Sequence, residues 1–243
     1  MKRLFLLLLT VLAVACQTQK EPVVGLIADS AMVASAQPFA SQVGVDIMKK
    51  GGNAVDAAIA TQFALSVVFP AAGNIGGGGF MVIRMKDGTT ATLDFREKAP
   101  AAATTNMYLD KDGNIVEGLS LAGHLASGVP GSVDGMVEAH KKYGSLPWAD
   151  LVQPAIDFAL NGFPVSEREA NSLNELQKDL EKYNTVKPEF LMRAWKKGDT
   201  IKWTDMGHTL ERIRDNGRAG FYEGKTAEDL VAEMQRGKGL ITM

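Results

Sequence analysis

The side chains that most often carry enzyme chemistry are sparse in this sequence. Its histidines lie in separate segments, and none has metal-ligand spacing to another histidine, a cysteine or a pair of acidic residues; they are His124, His140 and His208. The GxSxG motif that marks a serine nucleophile is also absent from the sequence. We therefore expect no metal site and no cofactor, and we expect His140 to pack on the apolar stripe of a helix.

A run of glycines at residues 76–79 is a second candidate, because glycine-rich turns can bind phosphate through their backbone N–H groups. The dinucleotide motif GxGxxG, started at Gly76, would need glycine where Met81 stands, and no Walker-type Lys-Ser or Lys-Thr pair follows. The predicted order of helix, loop and strand is the reverse of both nucleotide motifs. We expect a structural turn that another backbone segment approaches closely.

The single cysteine, Cys16, follows a segment typical of an export signal. A basic pair precedes an apolar run that ends in "LAVAC", which resembles a bacterial lipobox. The run is short for a bilayer span, so a retained transmembrane helix is the weaker alternative. We predict a signal peptide over residues 1–15, a lipid on the Cys16 thiol and a lipoprotein tether over residues 16–27. The protein would then be exported to the bacterial periplasm or cell envelope and anchored to a membrane.

The composition is that of an ordinary soluble globular protein. The hydrophobic fraction of 46% in 243 residues is enough to bury a sizeable core. A net charge of −2 offers no basic surface, so we expect no nucleic-acid partner. Once Cys16 is lipidated, no cysteine is left for a disulfide, and the core alone must stabilise the fold.

The spacing of apolar residues predicts a helix-rich fold. One helix begins at Pro38 and ends at a pair of glycines. The next begins at an Asn53 cap, is apolar on all sides and is therefore expected to be buried as far as Pro70. A capping box of Ser166 and Glu169 opens a later surface helix. The later helices are predicted within residues 128–144, 166–180, 204–217 and 225–239.

One hairpin is predicted directly after the glycines. Asp87-Gly88 is a strong signal for a two-residue turn between strands. The second strand alternates, so Leu93 and Phe95 are expected to face the core. Arg96 then lies on the polar face, at the end of the strand.

Several long motifs, read in order, resemble the large-subunit part of the gamma-glutamyltranspeptidase family. They are "MVASAQPFASQVGVDIMKKGGNAVDAAIATQFALSVVFPAAGNIGGGGFMVIR", "LDFREKAPAAAT", "GVPGSVDGMVEAHKKYGSLPWADLVQPAIDFALNGFPVS" and "TLERIRDNGRAGFYEGKTAEDLV". The resemblance defines residues 28–243 as one incomplete large-subunit region. It implies an α+β fold of the N-terminal nucleophile hydrolase class, an αββα four-layer sandwich, of which this helix-rich part with a β-hairpin is only the large-subunit portion.

The resemblance implies an enzyme that takes the γ-glutamyl group from glutathione or a related amide and passes it to water or an amino acid. The nucleophile of that family is the N-terminal threonine of a small subunit, whose own amino group can act as the base. This sequence ends at "GKGLITM", inside the large-subunit region, so no catalytic residue is assigned to it and the chain alone is expected to be inactive.

The ending leaves several interpretations open. The chain is expected to be a fragment, a split gene product or a truncated gene model, and the small subunit is its implied partner. The alternative function is a non-catalytic, lipid-anchored binding or scaffolding protein.

One site residue carries over from the family. Arg96, in "DFRE", matches the arginine that pairs with the α-carboxylate of the γ-glutamyl group, a role suited to the guanidinium fork. Without the resemblance, a salt bridge to Glu97 is the preferred interpretation. The resemblance also gives the glycine run a structural role between the buried helix and the central sheet, with shaping of the substrate pocket as the alternative.

Overall fold

The computed structural model describes residue 25 and residues 27–184 and 188–243. The predicted signal peptide, Cys16 and most of the predicted tether lie outside the described residues. Residues 27–32 contain no helix or strand. Residues 33–243 cluster as one unit, and they hold all the elements that follow.

The elements of the described residues are mainly helices, with four short strands between them. The helices are α1 (Pro38–Lys49), α2 (Ala54–Val68), α3 (Ser132–Tyr143), α4 (Trp148–Asn161), α5 (Glu167–Tyr183), α6 (Thr204–Asn216), α7 (Ala219–Tyr222) and α8 (Gly224–Arg236). The strands are β1 (Phe80–Arg84), β2 (Thr90–Asp94), β3 (Phe163–Pro164) and β4 (Thr200–Ile201). Short 3-10 turns lie at His124–Ala126 and Glu189–Leu191. Within the described residues, no helix has both the length and the apolar character that crossing a membrane requires.

Helix α2 lies at the centre of the core, which confirms the prediction made from its apolar sequence. Ile59 and Phe63 are fully buried in it. Helices α1 and α4 pack against α2, and α4 packs in turn against α6. Trp148 links these layers, because its ring meets Phe63 edge-on at 5.5 Å between centroids and its indole N–H donates to the Ile213 carbonyl at 2.9 Å.

The predicted cap of α2 is also a tertiary contact. Asn53 and Asp56 form a reciprocal capping box, in which the Asn53 Oδ1 accepts from the Asp56 N–H at 3.0 Å and the Asp56 Oδ2 accepts from the Asn53 N–H at 2.9 Å. Asp56 is fully buried, and its carboxylate also accepts from the Ser145 hydroxyl at 2.5 Å and the Ser145 N–H at 3.0 Å. The carboxylate thereby ties α2 to the loop after α3.

The environment of Asp56 favours its charged form. Burial alone would raise the pKa of this carboxyl group, but hydrogen bonds from the Ser145 hydroxyl and from the N–H groups of Asn53, Ser145 and Leu146 outweigh burial and hold the pKa below its ordinary value. The Asn53 amide adds a second tie by donating to the Tyr143 carbonyl at 2.7 Å. The start of α2 is therefore fixed to the end of α3 by side chains.

The hairpin forms where it was predicted, but its loop differs. The Met85 N–H donates to the Thr89 carbonyl at 2.8 Å, so residues 86–88 form a three-residue loop rather than a two-residue one. Gly88 has a φ of +88°, the left-handed conformation that such a loop requires at its last position. Asp87 caps the loop by accepting from the Thr89 N–H at 2.9 Å.

The two faces of the hairpin have different surroundings. Ile83 is buried, and Leu93 packs against the core, as predicted. On the outer face, Phe80 is 66% exposed and Val82 is 83% exposed. Apolar side chains of this size on one strand face leave a surface that the described residues do not cover.

Candidate functional site

Arg96 lies just beyond β2 and is exposed on the outer face, where the sequence placed it. Phe95, the residue before it, is half-buried and points to the opposite side. The strand pairing continues past β2, since the Phe95 N–H donates to the Gly79 carbonyl at 3.0 Å. The glycine run and the Arg96 segment are therefore direct neighbours.

Glycines on both sides allow this close approach. A methyl group at Gly78 would lie 2.6 Å from the Phe95 carbonyl oxygen, and one at Gly79 would lie 2.8 Å from the Phe95 ring. From the other side, a methyl group at Gly131 would collide with the Phe95 carbonyl and one at Gly135 with the Phe95 ring. We call these residues the glycine walls: Gly78, Gly79, Gly131 and Gly135. They confirm the prediction that backbone approaches the glycine run closely.

Backbone hydrogen bonds connect three segments around Arg96. The Gly77 carbonyl accepts from the Gly131 N–H at 2.7 Å and from the Ser132 N–H at 3.0 Å. Lys98 and Val129 exchange hydrogen bonds of 3.2 and 2.7 Å. Residues 77–79, 95–98 and 129–132 thus form one continuous framework, and Arg96 projects from its middle strand.

The guanidinium of Arg96 forms no ion pair or hydrogen bond within the described residues, and the alternative salt bridge to Glu97 is not formed there. The Arg96 N–H is engaged, because it donates to the Asp94 Oδ1 at 3.0 Å. An exposed and unpaired guanidinium can bind a carboxylate by donating two parallel N–H hydrogen bonds to its oxygens. The substrate-binding role of Arg96 remains a prediction.

Arg218 and Tyr222, near the C-terminus, hold residues 130–134, which lie beside the strand that carries Arg96. The Tyr222 hydroxyl donates to the Pro130 carbonyl at 2.9 Å and accepts from the Asp134 N–H at 3.3 Å. The Arg218 Nε donates to the Asp134 Oδ1 at 2.8 Å, and its guanidinium lies 4.7 Å from the centre of the Tyr222 ring. Burial raises the pKa of Tyr222, so its hydroxyl keeps the proton that it donates to Pro130.

Two of the histidines contact other elements of the fold, and His208 lies on an exposed helix face with its Nδ1 2.9 Å from the Glu211 Oε2. His140 packs against Trp148, with 5.3 Å between ring centroids, and its Nε2 lies 2.8 Å from the Leu146 carbonyl. His124 forms a contact that the sequence did not suggest, because its partner, Glu233, is 109 residues away; the Nε2–Oε1 distance is 2.7 Å. Hydrogen bonds from Arg236, which has the larger effect, and from His124 lower the pKa of Glu233 to about 2. The described part of the chain contains no cluster of three metal-ligating side chains.

Arg96 lines none of the three clefts that follow. A cleft of 490 Å³ is lined by Phe190, Trp195 and Trp203, among others, and an apolar groove of 340 Å³ runs along helix α5. A third cleft, of 370 Å³, is lined by Gly78, Gly79 and Phe95, among others. Arg96 faces outward instead, toward the exposed face of the hairpin, so any pocket around it needs walls from outside the described residues.

Comparison with known sequences identifies relatives over most of the chain. The profile of the family Gamma-glutamyltranspeptidase matches residues 40–243. The "Glutathione hydrolase proenzyme" of Pseudomonas sp. (strain A14) is 49% identical over 218 residues, and that of Escherichia coli (strain K12) is 48% identical over 218 residues. Both alignments cover 88% of this chain and 38% of the relative, so the chain spans well under half the length of these proteins and corresponds to their N-terminal portion.

Solved structures show the same fold. The crystal structure of Helicobacter pylori gamma-glutamyltranspeptidase matches with a TM-score of 0.85 at 44% identity, covering 90% of this chain and 64% of that one. The gamma-glutamyltranspeptidase from Pseudomonas nitroreducens, complexed with L-DON, matches with a TM-score of 0.80 at 45% identity, covering 89% of this chain and 64% of that one. The N-terminal nucleophile hydrolase fold predicted for the large-subunit portion is confirmed. Because sequence profile and three-dimensional fold agree over most of its length, this chain belongs to the gamma-glutamyltranspeptidase family.

Proposed function

We propose that this chain supplies the large-subunit part of an enzyme that hydrolyses or transfers the γ-glutamyl group of glutathione and related amides. The proposal is supported by the names of the curated relatives, which are glutathione hydrolase proenzymes. A threonine acyl-enzyme is the proposed intermediate, and its nucleophile belongs to the portion of the relatives that this chain does not span. The chain would thus bind the α-carboxylate end of the donor, and the remaining portion would supply the nucleophile that attacks the γ-amide.

The observation that carries the proposal is the free guanidinium of Arg96. The side chain projects from a framework built of three backbone segments, it has no ion pair within the described residues, and it faces an exposed surface. A γ-glutamyl donor has a planar α-carboxylate, and the guanidinium fork can meet both of its oxygens. Arg96 would therefore fix the α-carboxylate, so that the γ-amide extends toward the nucleophile.

The partner that this arrangement requires is the small subunit made from the remaining portion of the proenzyme. It would cover the outer face of the hairpin, where Phe80 and Val82 are exposed. The free edges of a two-stranded sheet also favour the addition of further strands. Covering this face would at the same time provide the missing walls around Arg96.

We also propose a membrane anchor, which rests on sequence alone. Cys16 in "LAVAC" would carry the lipid after removal of residues 1–15, and the mature protein would lie in the periplasm or cell envelope. A diacylglyceryl group and an N-acyl chain together provide stable attachment to a bilayer.

The test uses a completed enzyme, which we define as this chain joined to the C-terminal remainder of the Escherichia coli relative. Arg96→Ala should raise KM for a γ-glutamyl anilide by about tenfold to a thousandfold, which corresponds to about 1.4–4 kcal/mol. This range overlaps the cost of about 2–5 kcal/mol for removing the partner of a desolvated carboxylate. Arg96→Lys should fall in between, since lysine keeps the charge and loses the fork. Steady-state kinetics measures both.

A matched control is Arg84→Ala. Arg84 is also an exposed arginine of this hairpin, at the end of β1. Its replacement should leave KM within about twofold of the parent enzyme. If Arg96→Ala behaves like Arg84→Ala, Arg96 does not bind the carboxylate. If the completed enzyme matures but shows no γ-glutamyl turnover at all, the non-catalytic alternative gains support.

A further inference from the structure

The backbone at Arg96 has a special position in the hydrogen-bond network. The Phe95 N–H pairs with Gly79, and the next backbone pair along the strand is Lys98 with Val129. Between these pairs, the Arg96 N–H has no backbone acceptor within the described residues. Its partner is the Asp94 carboxylate, whose Oδ1 accepts at 3.0 Å across two residues. This is the local side-chain-to-backbone bond typical of an Asx turn.

The residues on either side of Arg96 are already fixed. Phe95 lies between the glycine walls, where Gly135 and Gly79 leave room for its ring. The Glu97 N–H segment passes so close to Gly78 that a methyl group at Gly78 could not be accommodated. The Arg96 N–H belongs to the same peptide unit as the Phe95 carbonyl, which accepts from the Gly79 N–H at 3.4 Å on one side. The Asp94 bond holds the other side of this peptide unit.

Asp94 does this without neutralising the arginine. The described residues contain no ion pair between Asp94 and Arg96, because the carboxylate of Asp94 engages the backbone N–H instead of the guanidinium. An Asp94 carboxylate without this bond could compete with the substrate carboxylate for the guanidinium of Arg96. The arrangement keeps the guanidinium open while its backbone is held.

We propose that Asp94 is a positioning residue for Arg96 and thereby for the substrate's α-carboxylate. The inference rests on the proposed function, and it adds a residue that contacts no substrate. A guanidinium held on a fixed backbone needs less ordering when substrate binds, so the bond should lower KM and leave the chemical step unchanged. Loss of one hydrogen bond of this kind corresponds to a change of about three- to tenfold in an equilibrium constant.

The test compares Asp94→Ala and Asp94→Asn in the completed enzyme. Both variants remove the negative charge of Asp94, and this loss by itself would favour binding of the anionic substrate. Only asparagine keeps a side-chain oxygen that can accept from the Arg96 N–H. We expect about a three- to tenfold higher KM for γ-glutamyl anilide in Asp94→Ala, an unchanged kcat, and a KM near the parent value in Asp94→Asn. Asp87→Ala is the matched control, because Asp87 is an exposed aspartate of the same hairpin with an equivalent bond to the Thr89 N–H at 2.9 Å.

A second substrate separates positioning from general damage. The 4-aminobutyryl anilide has the same chain as the γ-glutamyl donor but lacks the α-carboxylate. Asp94→Ala should leave kcat/KM for this analogue unchanged relative to the parent enzyme, whereas structural damage would lower it for both substrates. Equal losses on the two substrates, an unchanged KM, a loss in kcat alone, a KM in Asp94→Asn as high as in Asp94→Ala, or failure of Asp94→Ala to mature would each overturn the proposal.

The same experiment reports separately on the proposed function. If Arg96→Ala discriminates between the two substrates and Asp94→Ala does not, Arg96 binds the carboxylate and only the positioning role is wrong. If neither variant discriminates, the carboxylate is bound elsewhere and the assignment of Arg96 itself fails.

Discussion

Replacement of Asp56 by alanine should destabilise the protein more than any single change on its surface. The buried carboxylate accepts hydrogen bonds from the Asn53 N–H, the Ser145 N–H and the Ser145 hydroxyl. Alanine would leave these buried donors without an acceptor, and each unsatisfied donor lowers the free energy of unfolding by about 1–3 kcal/mol. Allowing for partial relaxation and water entry, we expect a loss of about 3–5 kcal/mol in the free energy of unfolding.

The chain provides its own control for this substitution. Glu169 occupies the same position in the capping box of α5, and its Oε2 accepts from the Ser166 N–H at 2.7 Å. Ser166 is exposed and Glu169 is half-buried, with one further and longer bond from the Gln37 amide at 3.4 Å. Water can reach this box and replace the carboxylate, so Glu169→Ala should cost about 0.5–1 kcal/mol. Urea unfolding of the completed enzyme, followed by tryptophan fluorescence, measures both changes, because Trp148 lies in the core beside α2.

The pH dependence gives an independent check of the cause. The folded pKa of Asp56 lies below its ordinary value of 3.8, so its charged form contributes stability at pH values above 3.8. That contribution is lost as the pH falls through the folded pKa. The stability difference between the parent and Asp56→Asn should therefore be constant from about pH 5 to 8 and should shrink under more acidic conditions. A difference that stays the same at about pH 3, or a loss in Asp56→Ala no larger than in Glu169→Ala, would refute the reasoning.

Two further predictions concern the glycine walls and the N-terminus. Gly135→Ala should destabilise the completed enzyme by about 1–3 kcal/mol, because the added methyl group would collide with the Phe95 ring, whereas Gly76→Ala, which faces open space, should stay within about 0.5 kcal/mol. Thermal melting compares the pair, and equal melting temperatures would contradict this account of the glycines. Mass spectrometry of the mature N-terminus should find Cys16 with its thiol and amino group acylated; an unmodified thiol, or a terminus beyond Cys16, would exclude the anchor.

Local signals in the sequence predicted the framework well. The Asn53–Asp56 cap, Pro38 at the start of α1 and the alternation of β2 are each set by residues a few positions apart, and the structure contains them all. Arg96 was placed on the outer face by the same period-two argument. The resemblance to a family, rather than the pattern itself, suggested what its guanidinium could bind.

Longer-range contacts were out of reach of these patterns. The bond between Asp56 and Ser145 spans 89 residues, and nothing in the sequence near Asp56 marks its partner. Helix α4 has no counterpart among the predicted elements, and it contains Pro154, which cannot donate a helical hydrogen bond. The hydrogen bond from the Arg96 N–H to Asp94 could have been suspected from their spacing of two residues, which is that of an Asx turn.

The bare outer face of the hairpin has a consequence for synthesis in the cell. If the protein is made as one long precursor, Phe80 and Val82 leave the ribosome well before the portion that would cover them. The remaining length of a relative such as the Escherichia coli proenzyme, of which this chain spans 38%, takes tens of seconds to translate at about 5–20 residues per second. During that interval, a chaperone has both an apolar face and a free strand edge to bind. The yield of folded precursor should therefore depend on chaperones that protect this face until it is covered.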